Sequence, residues 1–224
     1  MKLKKFFSAF TLTELLIALA ILGALAAMTI PSLMEGLQKK QLIVLLKNTV
    51  GQIEQLAHNQ MIAKNSKDLT LTDFVNPDKL LVEKNFPITK SCKKTEDCWS
   101  ESYRVIDGLK PFSRVLEDNP KSVILKNGAI ISYYYYETSS FPVLPDGDKV
   151  IGIFHVDVNG TEKPNMLGRD VFWFHISKYG KIMDNQQAWG VNEPESKLTA
   201  GCKNGTFVTA CYSIVTQNNW DMPF

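Results

Sequence analysis

The sequence predicts an α+β fold: a long N-terminal helix, apolar in its first half and amphipathic in its second, packed on an antiparallel sheet, with a disulfide-closed C-terminal loop. Three observations predict it. Residues 9–30 form an apolar run that holds one carboxylate, Glu14; residues 42–61 repeat apolar side chains every three or four positions; and from residue 122 onward short β-branched and aromatic runs are separated by Gly-bearing turns. A chain of 224 residues has room for one folded domain plus an anchor, and 45% hydrophobic with 21% charged residues is ordinary for such a plan.

The first element is a membrane-spanning helix. Phe10 to Ile30 covers 21 residues, which as a helix reach about 32 Å, close to the thickness of a hydrocarbon core. Lys2, Lys4 and Lys5 precede it and no basic residue follows until Lys39, so the positive-inside bias keeps the N-terminus in the cytoplasm and sends everything after residue 30 outward. A secretory signal cut after Ala24-Leu25-Ala26 is the rival reading. Glu14 argues against it, because a carboxylate within a membrane helix costs roughly 2–3 kcal/mol and contributes nothing to a segment that is discarded.

Beyond Pro31 the helix is expected to continue, with a bend at Pro31 or Gly36. Leu42, Leu46, Val50, Ile53, Ala57 and Met61 form one apolar stripe, with Lys47, Gln52, Gln55, His58 and Asn59 largely off it. The stripe calls for a sheet to pack against, and Asn65-Ser66 ends the pattern. Asn76-Pro77 then reads as the cap and first position of a short helix through Lys84.

The second half reads as strands. Ser122–Lys126 and Ala129–Tyr136 flank Asn127-Gly128, a hairpin signal with a type I′ turn. Lys149–Val158 and Asp170–Ile176 form a second pair, and Tyr179-Gly180 leads to a short strand at Lys181–Met183. These give four or five antiparallel strands, and Ala200–Phe224 is expected as a peripheral loop. Cys92, Cys98, Cys202 and Cys211 allow three disulfide connectivities, of which the two local pairs are favoured because each staples a polar, turn-rich loop. Zinc is disfavoured, since neither C-x-x-C nor H-x3-H spacing occurs.

The stretch Asp157-Val158-Asn159-Gly160-Thr161-Glu162-Lys163-Pro164-Asn165, followed by Gly168 and Asp170, supports two readings. Calcium wants six or more oxygens on a tight loop, and Asp157, Asn159, Thr161 and Asp170 supply some of them, although Gly168 stands where an EF-hand loop needs its closing acid. The other reading is a turn in which Asn and Asp bond their own backbone. Apart from that calcium, no cofactor is expected. His155 and His175 could face each other across a hairpin but are scattered strand residues, and G-x-S-x-G, H-E-x-x-H and P-loop motifs do not occur, so no enzyme is expected. Tyr133–Tyr136 alternate between sheet faces and offer a stacking surface for sugar or single-stranded DNA as the alternative to core packing.

With a short basic leader ending in a small residue, then Phe10-Thr11-Leu12-Thr13-Glu14, an apolar run and Pro31 just past it, residues 1–31 resemble the class III signal of type IV prepilins and type II secretion pseudopilins. The 157–170 stretch is similar to a loop of pseudopilin-like proteins. The resemblance implies a leader at 1–9 that is removed, a transmembrane and assembly helix at 10–31, and an extracytoplasmic pilin-like domain at 32–224. A prepilin peptidase would cut between Ala9 and Phe10 and methylate the new amine, with Ala9 standing where the family usually has Gly. Glu14 lies one helical turn from Phe10, so its carboxylate can pair with the Phe10 amine of a neighbouring, staggered subunit.

The implied product is a minor pilin or pseudopilin, single-pass in the inner membrane and then in a filament. Its implied partners are the peptidase, sister subunits, an inner-membrane assembly platform and the membrane itself. A membrane-anchored binding protein or hydrolase using the helix only as a tether is the alternative. Removing the leader takes the 25 basic residues to 22 against 23 acidic ones, which leaves no broad electrostatic footprint for nucleic acid.

Overall fold

The structure is a computed structural model and describes residues 11–108, 121–137 and 140–224. They fall into two compact units, one ending at Lys40 and the other running from Gln41 to Phe224. In the first, helix α1 (Leu12–Ala63) begins at Leu12 and runs through Pro31, which supplies no N–H to the helical ladder. Its large apolar side chains from Leu12 to Leu37 are exposed, and Glu35 pairs with Lys39 at 3.4 Å.

The second unit is built on the amphipathic part of α1. Leu42, Leu46, Val50, Ile53 and Ala57 are buried, and Met61 is half-buried against the same core. This is the stripe expected from its spacing, and its partner is a six-stranded antiparallel sheet in chain order. The strands are β1 (Ile88–Cys92), β2 (Ser122–Leu125), β3 (Ile130–Tyr135), β4 (Val150–Asp157), β5 (Val171–Ser177) and β6 (Ile182–Met183). The meander expected from the sequence is β2 to β6. Strand β1 adds an edge, paired to β2 from Ile88↔Leu125 to Cys92↔Ser122.

Side chains alternate across the sheet as a period of two requires. Tyr133, Phe154 and Phe174 occupy adjacent strands on one face: Tyr133 meets Phe154 at 4.6 Å, Phe74 meets both, and the Tyr133 hydroxyl donates to the Phe74 carbonyl at 2.9 Å. Gly152 is where that hydroxyl passes, since a Cβ there would lie 2.4 Å from it.

Local chemistry explains most boundaries. The Asn76 side chain accepts from the N–H groups of Asp78 and Lys79, starting helix α2 (Pro77–Leu80), which is one turn long rather than reaching Lys84. At the β2–β3 hairpin Gly128 has φ 89° and Asn127 is not in the left-handed region. A type I′ turn needs positive φ at both central residues, so the turn is instead a three-residue loop, with Gly128 N–H donating to Leu125 O and Leu125 N–H to Ala129 O.

Three short helices follow β6: α3 (Asn185–Trp189), α4 (Glu195–Asn204) and α5 (Ala210–Gln217). The stretch from Ala200 is therefore mainly helical rather than a peripheral loop. Its side chains Cys202, Cys211, Ile214 and Val215 are buried, and Tyr212 packs on Phe174 at 4.9 Å. Disulfides join Cys92 to Cys98 and Cys202 to Cys211, the second linking α4 to α5. Gly168, at φ 84°, leaves room for that bridge: a Cβ there would lie 3.0 Å from Cys202 Sγ and 2.9 Å from Ile106 Cδ1. Gly168→Ala is expected to destabilise the domain by about 2 kcal/mol or more, from left-handed strain plus overpacking. A thermal melt of the full chain checks it.

Candidate functional site

The start of α1 is the site that the sequence marked, and the structure gives its carboxylate a definite local role. Glu14 Oε2 accepts from the Thr11 N–H at 2.9 Å and from the Thr11 hydroxyl at 2.8 Å, while Thr11 Oγ1 accepts from the Glu14 N–H at 3.2 Å. This is a reciprocal capping box, which satisfies donors that a helix start leaves without partners. The pattern Thr-x-x-Glu that produces it stands in the sequence, where the resemblance implies a further partner for Glu14, the Phe10 amine of a neighbouring subunit. Ala9 and Phe10 lie outside the described residues.

Around that box the helix surface is apolar. Its most hydrophobic window has a mean hydropathy of 2.2 with none of its residues buried. Leu12 is 78% exposed and Met28 77%. A helix that is apolar on all sides needs either lipid or other helices around it. Residues 4–30 match the family model described as the prokaryotic N-terminal methylation motif. The segment is a prepilin-type cleavage and methylation motif. The match covers residues 4–30 alone, and no curated protein and no solved structure matches the chain. A prepilin-type segment followed by an antiparallel sheet and two disulfides is consistent with a pilin-like α+β fold, and the motif with its apolar helix fits a membrane-anchored protein.

The loop between β4 and β5 is the second candidate, and it forms a closed polar knot. Asp157 and Asp170 are buried; Asp157 pairs with Val171, so the two aspartates flank one end of the β4–β5 ladder. Asp157 Oδ2 accepts from the Tyr103 hydroxyl at 2.8 Å and Oδ1 from the Asn159 N–H at 3.3 Å. The carboxylate of Asp170 accepts from the N–H groups of Asn165 and Met166, both at 2.6 Å. These bonds hold the loop as the Asx-turn reading expected. Asn159 turns its amide N–H toward the carbonyls of Glu162 and Lys163, and Thr161 is exposed. Among the described residues no three acidic, histidine or cysteine side chains converge as a metal cluster.

Burial pushes the Asp157 carboxyl up to about 8, with the neighbouring Asp170 adding to the rise, and burial pushes Asp170 up to about 6 against the pull of its backbone donors. Tyr103 was not singled out in the sequence. Nothing local marks it, because its partner lies 54 residues away.

The two strand histidines do not oppose each other. His155 pairs with Trp173 and His175 with Ile153. Burial holds both well below the ordinary histidine range, His155 at about 3 and His175 at about 4, so both are neutral at physiological pH. Tyr133–Tyr136 divide between faces as alternation requires, with Tyr133 buried and Tyr134 46% exposed.

Proposed function

We propose that this chain is a structural subunit, a minor pilin or pseudopilin, of a type IV pilus or type II secretion pseudopilus. The observation that carries the reading is the prepilin-type motif over residues 4–30, with Glu14 as the lone carboxylate at the start of an otherwise uncharged apolar helix. In this reading a prepilin peptidase cuts between Ala9 and Phe10 on the cytoplasmic side and methylates the new amine. The helix then stays in the inner membrane as a single span, with the 41–224 domain outside, until an assembly platform extracts it among sister subunits.

The mechanism follows from charge in a low dielectric. The amine created at Phe10 has an ordinary pKa near 8 and is largely cationic, and methylation keeps the charge. Glu14 stands one helical turn further on, at about 6 Å of rise. A helix staggered by one turn sets the carboxylate of one subunit against the amine of the next. Away from water this pair is strong, whereas an unpaired carboxylate is costly. The capping box supplies the interim state: before assembly, Thr11 satisfies Glu14 within its own helix.

The test is the intact mass of the protein recovered from membranes, with its N-terminal residue identified. A chain beginning at methylated Phe10 is expected. A chain beginning at Ala27 would mean a discarded secretory signal and would end the filament reading.

A further inference from the structure

A polar groove lies along the second half of α1, in the unit from Gln41 to Phe224. Its lining on the helix runs from Gln52 to Lys64, which at 1.5 Å per residue is about 18 Å. Asp73 and the segment from Lys84 to Pro87 complete the lining. The volume is about 450 Å³, within the range of roughly 300–1,000 Å³ typical of ligand sites. Spread over that length it is a narrow trough, which suits an extended chain rather than a compact molecule.

Its chemistry is that of side-chain amides. Gln52, Gln55 and Asn59 succeed one another along the helix. Two more are fixed in place: Gln60 accepts from the Asp73 N–H at 2.9 Å and donates to Asp73 Oδ2 at 3.3 Å, and Asn85 donates to the Lys79 and Leu80 carbonyls, both at 3.0 Å. An amide side chain carries a donor and an acceptor side by side, the pair that a peptide group also presents. Gln52 Oε1 is buried and has no hydrogen-bond partner among the described residues, and a buried acceptor in that state gains from a donor that a ligand brings. Buried Phe86 and half-buried Leu56 add apolar surface to the same groove.

We infer that this groove binds an extended, acidic peptide segment of a partner protein, whose main chain pairs with the amides of Gln52, Gln55 and Asn59 while its carboxylates meet Lys64 and Lys84. Length agrees with that occupant. About 18 Å takes five or six residues of extended chain at about 3.3 Å each. Charge then selects among peptides. The carboxylate of Asp73 accepts from Gln60 and, at 3.5 Å, from Asn85, so its charge is turned to the wall of the groove. Lys64 and Lys84 are exposed cations on the same lining. A neutral sugar chain would use the amides and leave both lysines without a role.

The test uses the full chain in a polyoxyethylene detergent, first on an array of immobilised random hexapeptides and then, by fluorescence anisotropy, with the retained peptides capped and dye-labelled. Retention of a set enriched in Asp and Glu is expected, and added salt should weaken it. Methylating alternate main-chain nitrogens of a retained peptide deletes donors and should weaken binding about fivefold or more. That comparison uses the unaltered protein, so folding of a variant does not enter. Gln55→Ala and Asn59→Ala, at two exposed positions, should together weaken binding to a similar extent with the thermal melt unmoved, and Lys64→Ala with Lys84→Ala should abolish the preference for acidic peptides. Retention of no peptide, equal binding of the methylated forms, undiminished binding by the amide variant, or displacement of the peptides by neutral cellohexaose would each overturn the inference. The measurement reads binding in this groove alone, so its failure leaves the filament reading untouched.

Discussion

Glu14→Ala is expected to remove the protein from sheared filaments while leaving its amount in the membrane and the melting of its outer domain unchanged. The separation follows from where Glu14 acts. The domain over residues 41–224 has its own core, in which the sheet packs on Leu42, Leu46, Val50, Ile53 and Ala57, and Glu14 belongs to the other unit. Loss of the carboxylate removes a membrane cost of roughly 2–3 kcal/mol and sacrifices half of a capping box, typically about 1 kcal/mol. Insertion should therefore be unharmed or slightly improved.

What disappears, in the proposed mechanism, is the carboxylate that pairs with the Phe10 amine of a neighbour. Glu14→Gln sharpens the test, because the amide oxygen can still accept from Thr11 while the charge is gone. Failure of both variants to enter filaments would assign the effect to charge. Normal entry of the glutamine variant would assign it to the cap, and normal entry of the alanine variant would defeat the assembly mechanism and leave only a tether.

What the sequence disclosed depends on how local each signal was. The α1 stripe and the β2–β6 meander were legible because period and turn chemistry act within a few residues. The type I′ assignment failed at a finer level: Asn127-Gly128 was correctly a turn, but Asn127 uses its side chain to accept from Ala129 N–H at 3.1 Å without adopting positive φ. Strand β1, reading Ile-Thr-Lys-Ser-Cys, was invisible because an edge strand with three exposed central residues has no buried face to impose alternation.

The C-terminal helices were missed because the Cys202–Cys211 spacing suggested a stapled loop. Leu198 and Cys202, and Cys211 with Ile214 and Val215, in fact sit at helical intervals and face the core. At the candidate site the carboxylate itself was legible, and so was its partner Thr11 in principle. Tyr103 on Asp157 was not, since a contact spanning 54 residues exists only once the sheet has formed.

The 41–224 domain is expected to melt several degrees lower at pH 8.5 than at pH 6, and to lose that alkaline limb in Asp157→Asn. Asp157 is fully buried and ionises at about 8 in the fold, against 3.8 in the open chain; Asp170 ionises at about 6. A carboxyl raised in the fold holds its proton there while the unfolded chain has released it, so stability falls as pH climbs from the unfolded to the folded value. The histidines act in the opposite sense. Held at about 3 and 4 in the fold against 6.5 unfolded, His155 and His175 cost stability as pH drops below 6.5. Between about pH 4 and 6 the two pairs oppose each other and their contributions nearly cancel.

Above pH 6.5 the histidines and Asp170 have finished titrating and only Asp157 still ionises, so the remaining slope is its own. From pH 6.5 to 8 that slope amounts to about 2 kcal/mol, or about 4–8 °C for a domain of this size. The Asn variant keeps one oxygen for the Asn159 N–H, can turn its amide N–H toward the Tyr103 hydroxyl oxygen, and has no proton to lose. A persistent alkaline limb in that variant would mean that Asp157 is not the titrating group. A flattened limb would place the pH sensitivity in the knot that closes the β4–β5 loop.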